Sequence, residues 1–231
     1  MYTRRLPPVF IHLPKTAGTF IRSVLHGKYQ NVQAAYPTPP FKRLGDMNAA
    51  DKERLLRADV VIGHESVHSF RTELHPDLQF CTILRNPVDR LISYYNHLMT
   101  HSALYKVAKV TPLRFIESRA DYELDNLQLR YLSGRPVTES VDEEDLDRAI
   151  RMVADGRIVP GIQELMEATV ARLPLFDGVR LVDYPRQNES VFGFTRDSLT
   201  ELEIDAFRQR SSLDMRLYSY CLDHFRGRKS T

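Results

Sequence analysis

The sequence is poor in several features that usually reveal a protein's class. Only two cysteines, Cys81 and Cys221, occur in 231 residues, and both lie in apolar patterns that match no metal-binding or redox spacing. This pattern predicts buried thiols, which suit a reducing compartment. The formal net charge is only +2, so the chain has no overall bias towards nucleic acid or an anionic membrane. Any anion-binding site must therefore be local.

Long apolar segments are also absent from the sequence. No stretch approaches the roughly 20 apolar residues of a membrane-spanning helix. The N-terminal residues MYTRRLPP carry two arginines but no apolar region of the kind that export signals need. We therefore expect a cytoplasmic chain without stable membrane insertion. No internal repeat or low-complexity stretch occurs, and the sequence carries no signal for an oligomeric state.

The most informative local pattern is the stretch 8–20, PVFIHLPKTAGTF. Its apolar run at 9–13 predicts a buried strand, and a segment with helical apolar spacing follows the glycine. A strand, a turn of small residues and a helix together aim free backbone N–H groups at an anion. Because Lys15 and the hydroxyls of Thr16 and Thr19 lie in this turn, it is a candidate phosphate cradle. The alternative is an ordinary turn with a surface lysine.

Two further apolar runs predict strands that end in polar residues. ADVVIGHE at 58–65 ends near His64, and QFCTILRNP at 79–87 delivers Arg85. Strands that are apolar throughout are typical of a parallel sheet covered on both faces. Ligands of open parallel sheets bind outside the carboxyl ends of the strands. We therefore expect Lys15, His64 and Arg85 to meet at one edge.

Each candidate residue also has a structural alternative. His64 suits a general base near neutral pH, but a lone histidine is more often structural, and the chain has eight. Arg85 could bind a phosphate bidentately, with Ser93 about two turns into the next helix. Otherwise Arg85 pairs with Asp89, and Ser93 is solvated. His12 is predicted to occupy a core position inside the first strand.

The rest of the chain has mainly helical patterns. Residues 29–50 are predicted to be an irregular surface segment, and 180–184 a last short strand. A capping box of Ser198 and Glu201 predicts the start of one helix. We therefore predict an α/β fold, with the sheet in the first half and helices packed around it from the second. Other helices are predicted at 51–57, 87–99, 142–154, 162–173 and 213–225, and one helix or a pair of helices at 116–132.

Several motifs together resemble a known family. IHLPKTAGTFIRSVL, the GH pair at a strand end and TILRNPVDRLISYYNH are similar to sequences of the PAPS-dependent sulfotransferases. The resemblance is to carbohydrate O-sulfotransferases related to the heparan sulfate 2-O-sulfotransferases, and it extends through DNLQLRYLSG, VPGIQE and LDMRLYSYCLDHF. It implies that residues 1–231 form one sulfotransferase domain. The implied fold is P-loop-NTPase-like, with a central parallel sheet flanked by helices and a mainly helical C-terminal half.

The resemblance also implies the ligands. The expected donor is 3′-phosphoadenosine 5′-phosphosulfate (PAPS), the product is PAP, and no metal is required. The expected acceptor is a hydroxyl on a saccharide rather than a nucleic acid. Arg85 and Ser93 match the pair that holds the 3′-phosphate in the family. The motif that matches the 5′-phosphosulfate loop comprises Lys15, Thr16, Ala17, Gly18, Thr19 and Phe20.

His64 matches the position of a catalytic histidine in the related enzymes. The heparan enzymes carry a second histidine two residues earlier, where this chain has Ile62. A mechanism with two histidines is therefore in question, and His68 or Glu65 is a candidate to assist His64. In the implied reaction, an acceptor hydroxyl attacks sulfur in line while His64 removes its proton. Lys15 and the loop amides stabilise charge on the bridging oxygen.

Two rival functions remain open from the sequence. One is a P-loop-type nucleotide kinase, although Lys15 precedes the loop glycine and so departs from a Walker A sequence. The third strand also ends in Arg85 rather than an aspartate, which argues against magnesium-dependent phosphoryl transfer. The other rival is a non-catalytic module that binds PAP or an anionic glycan. The loops 29–50 and 101–112 are expected to determine acceptor specificity.

Overall fold

The computed structural model describes residues 5–36, 42–118, 122–184 and 193–227. In these ranges, parallel strands form a single sheet. They are β1 (Val9–Ile11), β2 (Val32–Ala35), β3 (Val60–Gly63), β4 (Phe80–Leu84) and β5 (Ile158–Ile162). Their order across the sheet is β2-β3-β1-β4-β5. The predicted α/β class with a central parallel sheet is confirmed.

Helices cover both faces of this sheet. Short 3₁₀ turns separate several of them, among them Tyr122–Leu124 and Gln163–Leu165. The helices are α1 (Gly18–Lys28), α2 (Ala49–Leu56), α3 (Val67–Glu73), α4 (Pro87–His101), α5 (Ala103–Ala108), α6 (Pro112–Glu117), α7 (Leu127–Leu132), α8 (Glu143–Ala154), α9 (Met166–Arg172), α10 (Glu201–Arg210) and α11 (Ser212–Arg226).

Alternate strand residues enter two apolar clusters, one on each face of the sheet. Val9 and Ile11 pack in the cluster that also contains residues of α3, α7, α8 and α11. Phe10 points to the other cluster, which contains residues of α1 and α9, and its ring centroid lies 6.3 Å from that of Phe176. Because both faces are covered, the central strands contain only apolar or small residues, apart from the buried Thr82. The two cysteines are buried and free, as predicted.

The two strands at the edges of the sheet overturn two predictions. The segment 29–50 is not irregular throughout, because β2 lies inside it. Ile162 does not begin a helix, because it is the last residue of β5. The sequence of β2, VQAA, has little β propensity, and β5 contains Pro160 and Gly161, which are depleted in strands. Proline is tolerated there because β5 is an edge strand.

Two other local predictions are wrong. The segment 180–184 is not a strand but holds a 3₁₀ turn, in which the Arg180 guanidinium lies 3.1 Å from the Asp183 carboxylate. The capping box of α10 is formed by Thr200 and Glu203 rather than by Ser198 and Glu201. Ser198 instead closes a small turn with Thr195. The segment 116–132, predicted as one helix or a pair, holds two: the end of α6 and α7, with a 3₁₀ turn between them and three residues outside the described ranges.

Candidate active site

The carboxyl ends of three neighbouring strands form the floor of the candidate site. β1 is the middle strand, and Ile11 at its end lies opposite Gly63 of β3 and Thr82 of β4. The residues that follow these strands therefore emerge side by side. The His64 ring bonds to the chain just after β1, and the Arg85 guanidinium donates to the carbonyl of Lys15 at 3.2 Å. The structure thus brings the three predicted strand ends together.

The loop after β1 has a strained backbone. Lys15 and Ala17 both adopt left-handed conformations, with φ of 69° and 63°. Such conformations cost a residue other than glycine about 1–2 kcal/mol, and they are typical of functional sites. Thr16 is buried, and its hydroxyl donates to the carbonyl of Leu13 at 2.9 Å. Its side chain therefore closes the loop, and its hydroxyl proton is not available to a phosphate oxygen.

This loop delivers the positive end of α1 to the site. The first N–H groups of an α-helix have no partner within the helix. Here the preceding residue, Ala17, makes no side-chain capping bond, and the first turn contains no acidic residue. Thr19 in that turn is exposed, whereas Phe20 is half-buried against the apolar cluster around α1. The N-terminus of α1 is therefore open to an anion.

Two basic side chains add positive charge beside this helix end. Burial lowers the pKa of Lys15, and the nearby charges of Arg85 and Arg90 lower it further, while Glu123 acts in the opposite direction. Burial also lowers the pKa of Arg85. A bound anion would stabilise both cations, since it would compensate their mutual repulsion and their partial loss of water. The cluster therefore fits a phosphorylated ligand.

The backbone of Arg85 is held by Gln128 from a distant helix, and a second helix holds Gln128. The Gln128 side chain accepts from the Arg85 N–H at 3.0 Å and donates to the Arg85 carbonyl at 2.9 Å. The N–H groups of Gln128 and Leu129 in turn donate to the Asp214 carboxylate at 3.1 and 2.7 Å. Both Gln128 and Asp214 are fully buried. Helices α7 and α11 therefore fix the end of β4.

The Arg85 side chain does not make the alternative ion pair with Asp89. The Asp89 carboxylate lies 3.1 Å from the guanidinium of Arg196, whereas Arg85 reaches the loop after β1. Asp89 and Glu164 are still close enough to influence the pKa of Arg85. Ser93 lies half-buried on α4, about 9 Å along the helix from its first residue. Its contact with a 3′-phosphate stays a prediction.

The imidazole of His64 is held in one tautomer. Its Nδ1 lies 2.6 Å from the carbonyl oxygen of His12, and a carbonyl oxygen only accepts hydrogen bonds. Nδ1 must therefore carry the proton, which leaves a lone pair on Nε2. Burial lowers the pKa of His64, although the bond to His12 acts in the opposite direction. The ring is thus neutral near pH 7 and able to accept a proton.

A second histidine lies beside His64, contrary to the prediction that His12 is a core residue of β1. His12 follows the last residue of β1, and its ring stacks on His64 with centroids 4.1 Å apart. Its Nδ1 is 3.1 Å from the Tyr36 hydroxyl. Burial, with help from the nearby His64 and Arg22, lowers the pKa of His12 to about 3. Ile62, at the position of the second histidine of the heparan enzymes, is buried in the apolar cluster that contains residues of α1 and α9.

Comparison with protein families places the chain in one of them. The model of the sulfotransferase family matches residues 3–154, which is more than half of the chain. The protein belongs to the sulfotransferase family. The matched range contains the loop after β1, His64 and Arg85. Family membership confirms the resemblance noted in the motifs and supports sulfuryl transfer as the chemistry of this site.

Two solved structures that are similar to this sulfotransferase are themselves sulfotransferases. Mouse sulfotransferase SULT7A1, crystallised with PAP, is 12% identical over 92% of this chain and 67% of its own, with a TM-score of 0.42. A sulfotransferase from Alicyclobacillus acidocaldarius is 15% identical over 98% of both chains, with a TM-score of 0.46. No curated protein sequence matches the chain.

The two residues expected to assist His64 in this sulfotransferase are engaged elsewhere. His68 Nδ1 donates to the carbonyl of Gly134 at 3.0 Å. The Glu65 carboxylate accepts from the N–H of Leu44 at 3.3 Å, and burial raises its pKa. Their assistance to His64 stays a prediction. The expected acceptor loop 29–50 lies partly outside the described residues.

Two features are absent from the described ranges. Within them, no group of three or more histidine, cysteine, aspartate or glutamate residues could hold a metal ion. Metal independence of the sulfotransferase stays a prediction. None of the helices in the same ranges combines the length and the apolar character needed to span a bilayer.

Proposed function

We propose that this protein is a PAPS-dependent O-sulfotransferase whose acceptor is a carbohydrate hydroxyl. The observation that carries the proposal is a neutral imidazole with a free Nε2 beside an open anion cradle. His64 is fixed by the carbonyl of His12, in the chain segment that leads directly into Lys15 and α1. The resemblance of the motifs to carbohydrate sulfotransferases supports a saccharide acceptor.

The residues around the cradle fit PAPS, which supplies an activated sulfuryl group on its 5′-phosphate. The N–H groups of Gly18, Thr19 and Phe20 begin α1 and would bind the 5′-phosphosulfate with Lys15. Arg85 would bind the 3′-phosphate, with Ser93 as its partner. Arginine suits this task because its planar guanidinium binds phosphate bidentately. Gln128 assists indirectly, because it fixes the backbone from which Arg85 projects.

His64 would act as the general base of the transfer. Its Nε2 takes the proton of the acceptor hydroxyl while the new oxygen–sulfur bond forms. The electron pair of the broken sulfur–oxygen bond stays on the 5′-phosphate of PAP. Lys15 stabilises the charge that develops on that oxygen, and its lowered pKa makes it a better proton donor to the leaving group.

Transfer of ³⁵S from labelled PAPS to a panel of neutral and acidic saccharides tests the proposal. Removal of the base in His64→Ala should lower the transfer rate by about 10²–10⁴-fold. The affinity for PAP, measured by calorimetry, should stay within about twofold, because His64 faces the acceptor and PAP lacks the sulfuryl group. His26→Ala is a matched control, since His26 is exposed in the last turn of α1.

The possible failures point to different conclusions. Transfer at the wild-type rate by His64→Ala would show that another group is the base. PAP binding without transfer to any saccharide in the panel would favour a non-catalytic module. Binding of ATP and magnesium in preference to PAP, with phosphoryl transfer, would favour the kinase alternative.

A further inference from the structure

The His12 imidazole lies between the proposed base and the helix that forms the cradle. One face of its ring stacks on His64, with 28° between the two ring planes. Its Nε2 lies against Gly18, the first residue of α1, so closely that a Cβ built on Gly18 would be only 1.2 Å from this nitrogen. Among the ring atoms, Nε2 is the closest to that position. The free nitrogen of His12 is thus directed at the positive end of α1.

The second nitrogen of the ring has a hydroxyl partner that accommodates a proton on Nε2. Nδ1 lies 3.1 Å from the Tyr36 hydroxyl, and burial raises the pKa of Tyr36 to about 12, so this hydroxyl keeps its proton. The hydroxyl can therefore donate to Nδ1 and leave the proton of His12 on Nε2. In the other tautomer, a lone pair on Nε2 would face the sulfuryl oxygens of bound PAPS, which is electrostatically unfavourable. Bound PAPS thus favours the tautomer with Nε2–H.

We propose that His12 is a second catalytic residue that donates a hydrogen bond from Nε2–H to the sulfuryl group of PAPS during transfer. This inference rests on the proposed function. His12 neither gains nor loses a proton in the step. The acceptor proton passes to His64, the sulfuryl group moves from the phosphate oxygen to the acceptor oxygen, and His12 stabilises the negative charge on the sulfuryl oxygens.

The environment explains why a neutral donor serves better than a charged one. His64 becomes an imidazolium when it takes the acceptor proton, and its ring is 4.1 Å from His12. A second cation at that distance would oppose the proton transfer. The same surroundings keep His12 neutral, since it is mostly buried and faces Arg22 as well as His64. A neutral imidazole still polarises an oxygen when its N–H is preorganised.

Two substitutions of His12 separate donation from packing. In His12→Gln, an amide N–H₂ can occupy the position of Nε2, whereas in His12→Asn the amide lies near the position of Nδ1. We expect His12→Asn to release sulfate from ³⁵S-labelled PAPS, with water as the acceptor, about 10²-fold more slowly than the wild type. His12→Gln should recover most of this loss. A residue that only packs against His64 would not show this order.

Binding supplies a readout that does not depend on turnover. PAP lacks the sulfuryl group, so calorimetry should give the same affinity for PAP in wild type and His12→Asn, within about twofold. The affinity for PAPS, measured by displacement of PAP, should fall several-fold in His12→Asn and less in His12→Gln. Melting temperatures measured with PAP bound report whether each variant is folded. A similar fall in affinity for both ligands would contradict the proposal.

The tautomer itself is measurable by ¹⁵N NMR of the imidazoles in the PAPS complex. We expect a proton on Nε2 of His12, and a shift towards the other tautomer in Tyr36→Phe. A wild-type ring with its proton on Nδ1 would overturn the inference, as would release of sulfate by His12→Asn at the wild-type rate. Absence of both sulfate release and transfer to any saccharide of the panel, by wild type that binds PAPS, would instead overturn the proposed function.

Discussion

Two strand-to-helix junctions at the same edge of the sheet treat their helix ends in opposite ways. After β4, Asn86 caps α4 by accepting from the N–H of Val88, and Asp89 lies in the first turn. The N–H of Asn86 itself donates to the Glu164 carboxylate at 2.7 Å. After β1, the residue that precedes α1, Ala17, makes no side-chain capping bond, and the first turn has no acidic residue. One helix end is satisfied by the protein, and the other is left open.

The difference between the two helix ends indicates where a ligand is expected to bind. A missing N-cap costs a helix about 0.5–2 kcal/mol, and the two left-handed residues before α1 cost more. Stability is therefore given up at the junction after β1 and retained at the junction after β4. The second junction still serves the first, because Arg85 extends from it to the carbonyl of Lys15. Four experiments test this difference between the two junctions.

The largest effect is expected for Gly18→Ala. The new methyl group would overlap the His12 ring, which must move away from α1. We expect sulfuryl transfer to fall by at least about 10²-fold and stability by about 1–3 kcal/mol, as in other overpacked sites. Gly45→Ala is the matched control, because a Cβ at Gly45 meets no atom within 4 Å. Equal activity of the two variants would show that Gly18 has room for a side chain.

Acid should weaken the protein through the histidines at the junction after β1. The pKa of His12 is lowered from 6.5 to about 3 in the folded state, so the unfolded chain binds the extra proton between these values. Stability is therefore complete above about pH 6.5 and is lost as the pH falls towards 3, by roughly 1.4 kcal/mol per pH unit. Urea unfolding between pH 7 and pH 4 measures the slope.

His12→Asn provides the reference for this titration. It removes one ionisable group and should make the loss of stability between pH 6.5 and pH 4 less steep than in wild type. His64 contributes in the same direction, because burial lowers its pKa as well, so part of the slope should remain. Identical slopes for wild type and the variant would contradict a buried neutral His12.

A carboxylate placed at the open helix end should compete with the ligand. Thr19 is exposed in the first turn of α1, so Thr19→Asp leaves the core intact and adds a negative charge beside the N–H groups. We expect about a tenfold loss of affinity for PAP in calorimetry, equivalent to about 1.4 kcal/mol. Thr19→Asn is the isosteric neutral control and should bind nearly as wild type does. Equal affinities of both variants would show that α1 does not bind the anion.

Substitution of the N-cap residue of α4 should change the stability of the protein. Asn86→Ala removes the bond from the N–H of Val88 and should lower the free energy of unfolding by about 1 kcal/mol. Asn86→Asp keeps an acceptor at the cap and should retain most of that stability. Thermal unfolding of both variants measures the difference. A neutral effect of Asn86→Ala would mean that this cap does not stabilise α4.

The central strands of the sheet can be predicted from the sequence, whereas the edge strands cannot. β3, β1 and β4 are apolar throughout because both of their faces are covered, and this pattern is visible in the residues. The edge strands β2 and β5 are stabilised by pairing with one neighbour each, so weak formers such as VQAA and a strand with Pro160 are tolerated. Local propensity does not reveal such tertiary pairing.

The site shows a similar division. Lys15, His64 and Arg85 follow apolar strands, so their convergence could be predicted from topology alone. The position of His12 could not be predicted, because His12 follows the apolar residues of β1 and resembles part of that strand. Only the register, in which Ile11 lies opposite Gly63, brings His12 beside His64. The roles of Gln128 and Asp214 could not be predicted either, since Gln128 bonds Arg85 and Asp214 bonds α7 from helices distant in sequence, and no local pattern marks such contacts.

An NMR titration of the ¹⁵N-labelled protein with PAP tests the central claim, namely that the open end of α1 binds the 5′-phosphate. We expect downfield shifts and slower exchange for the amide protons of Gly18 and Thr19. The Val88 amide should keep its shift, since it already donates to Asn86. Saturable PAP binding that leaves the Gly18 and Thr19 amides unchanged would contradict the account.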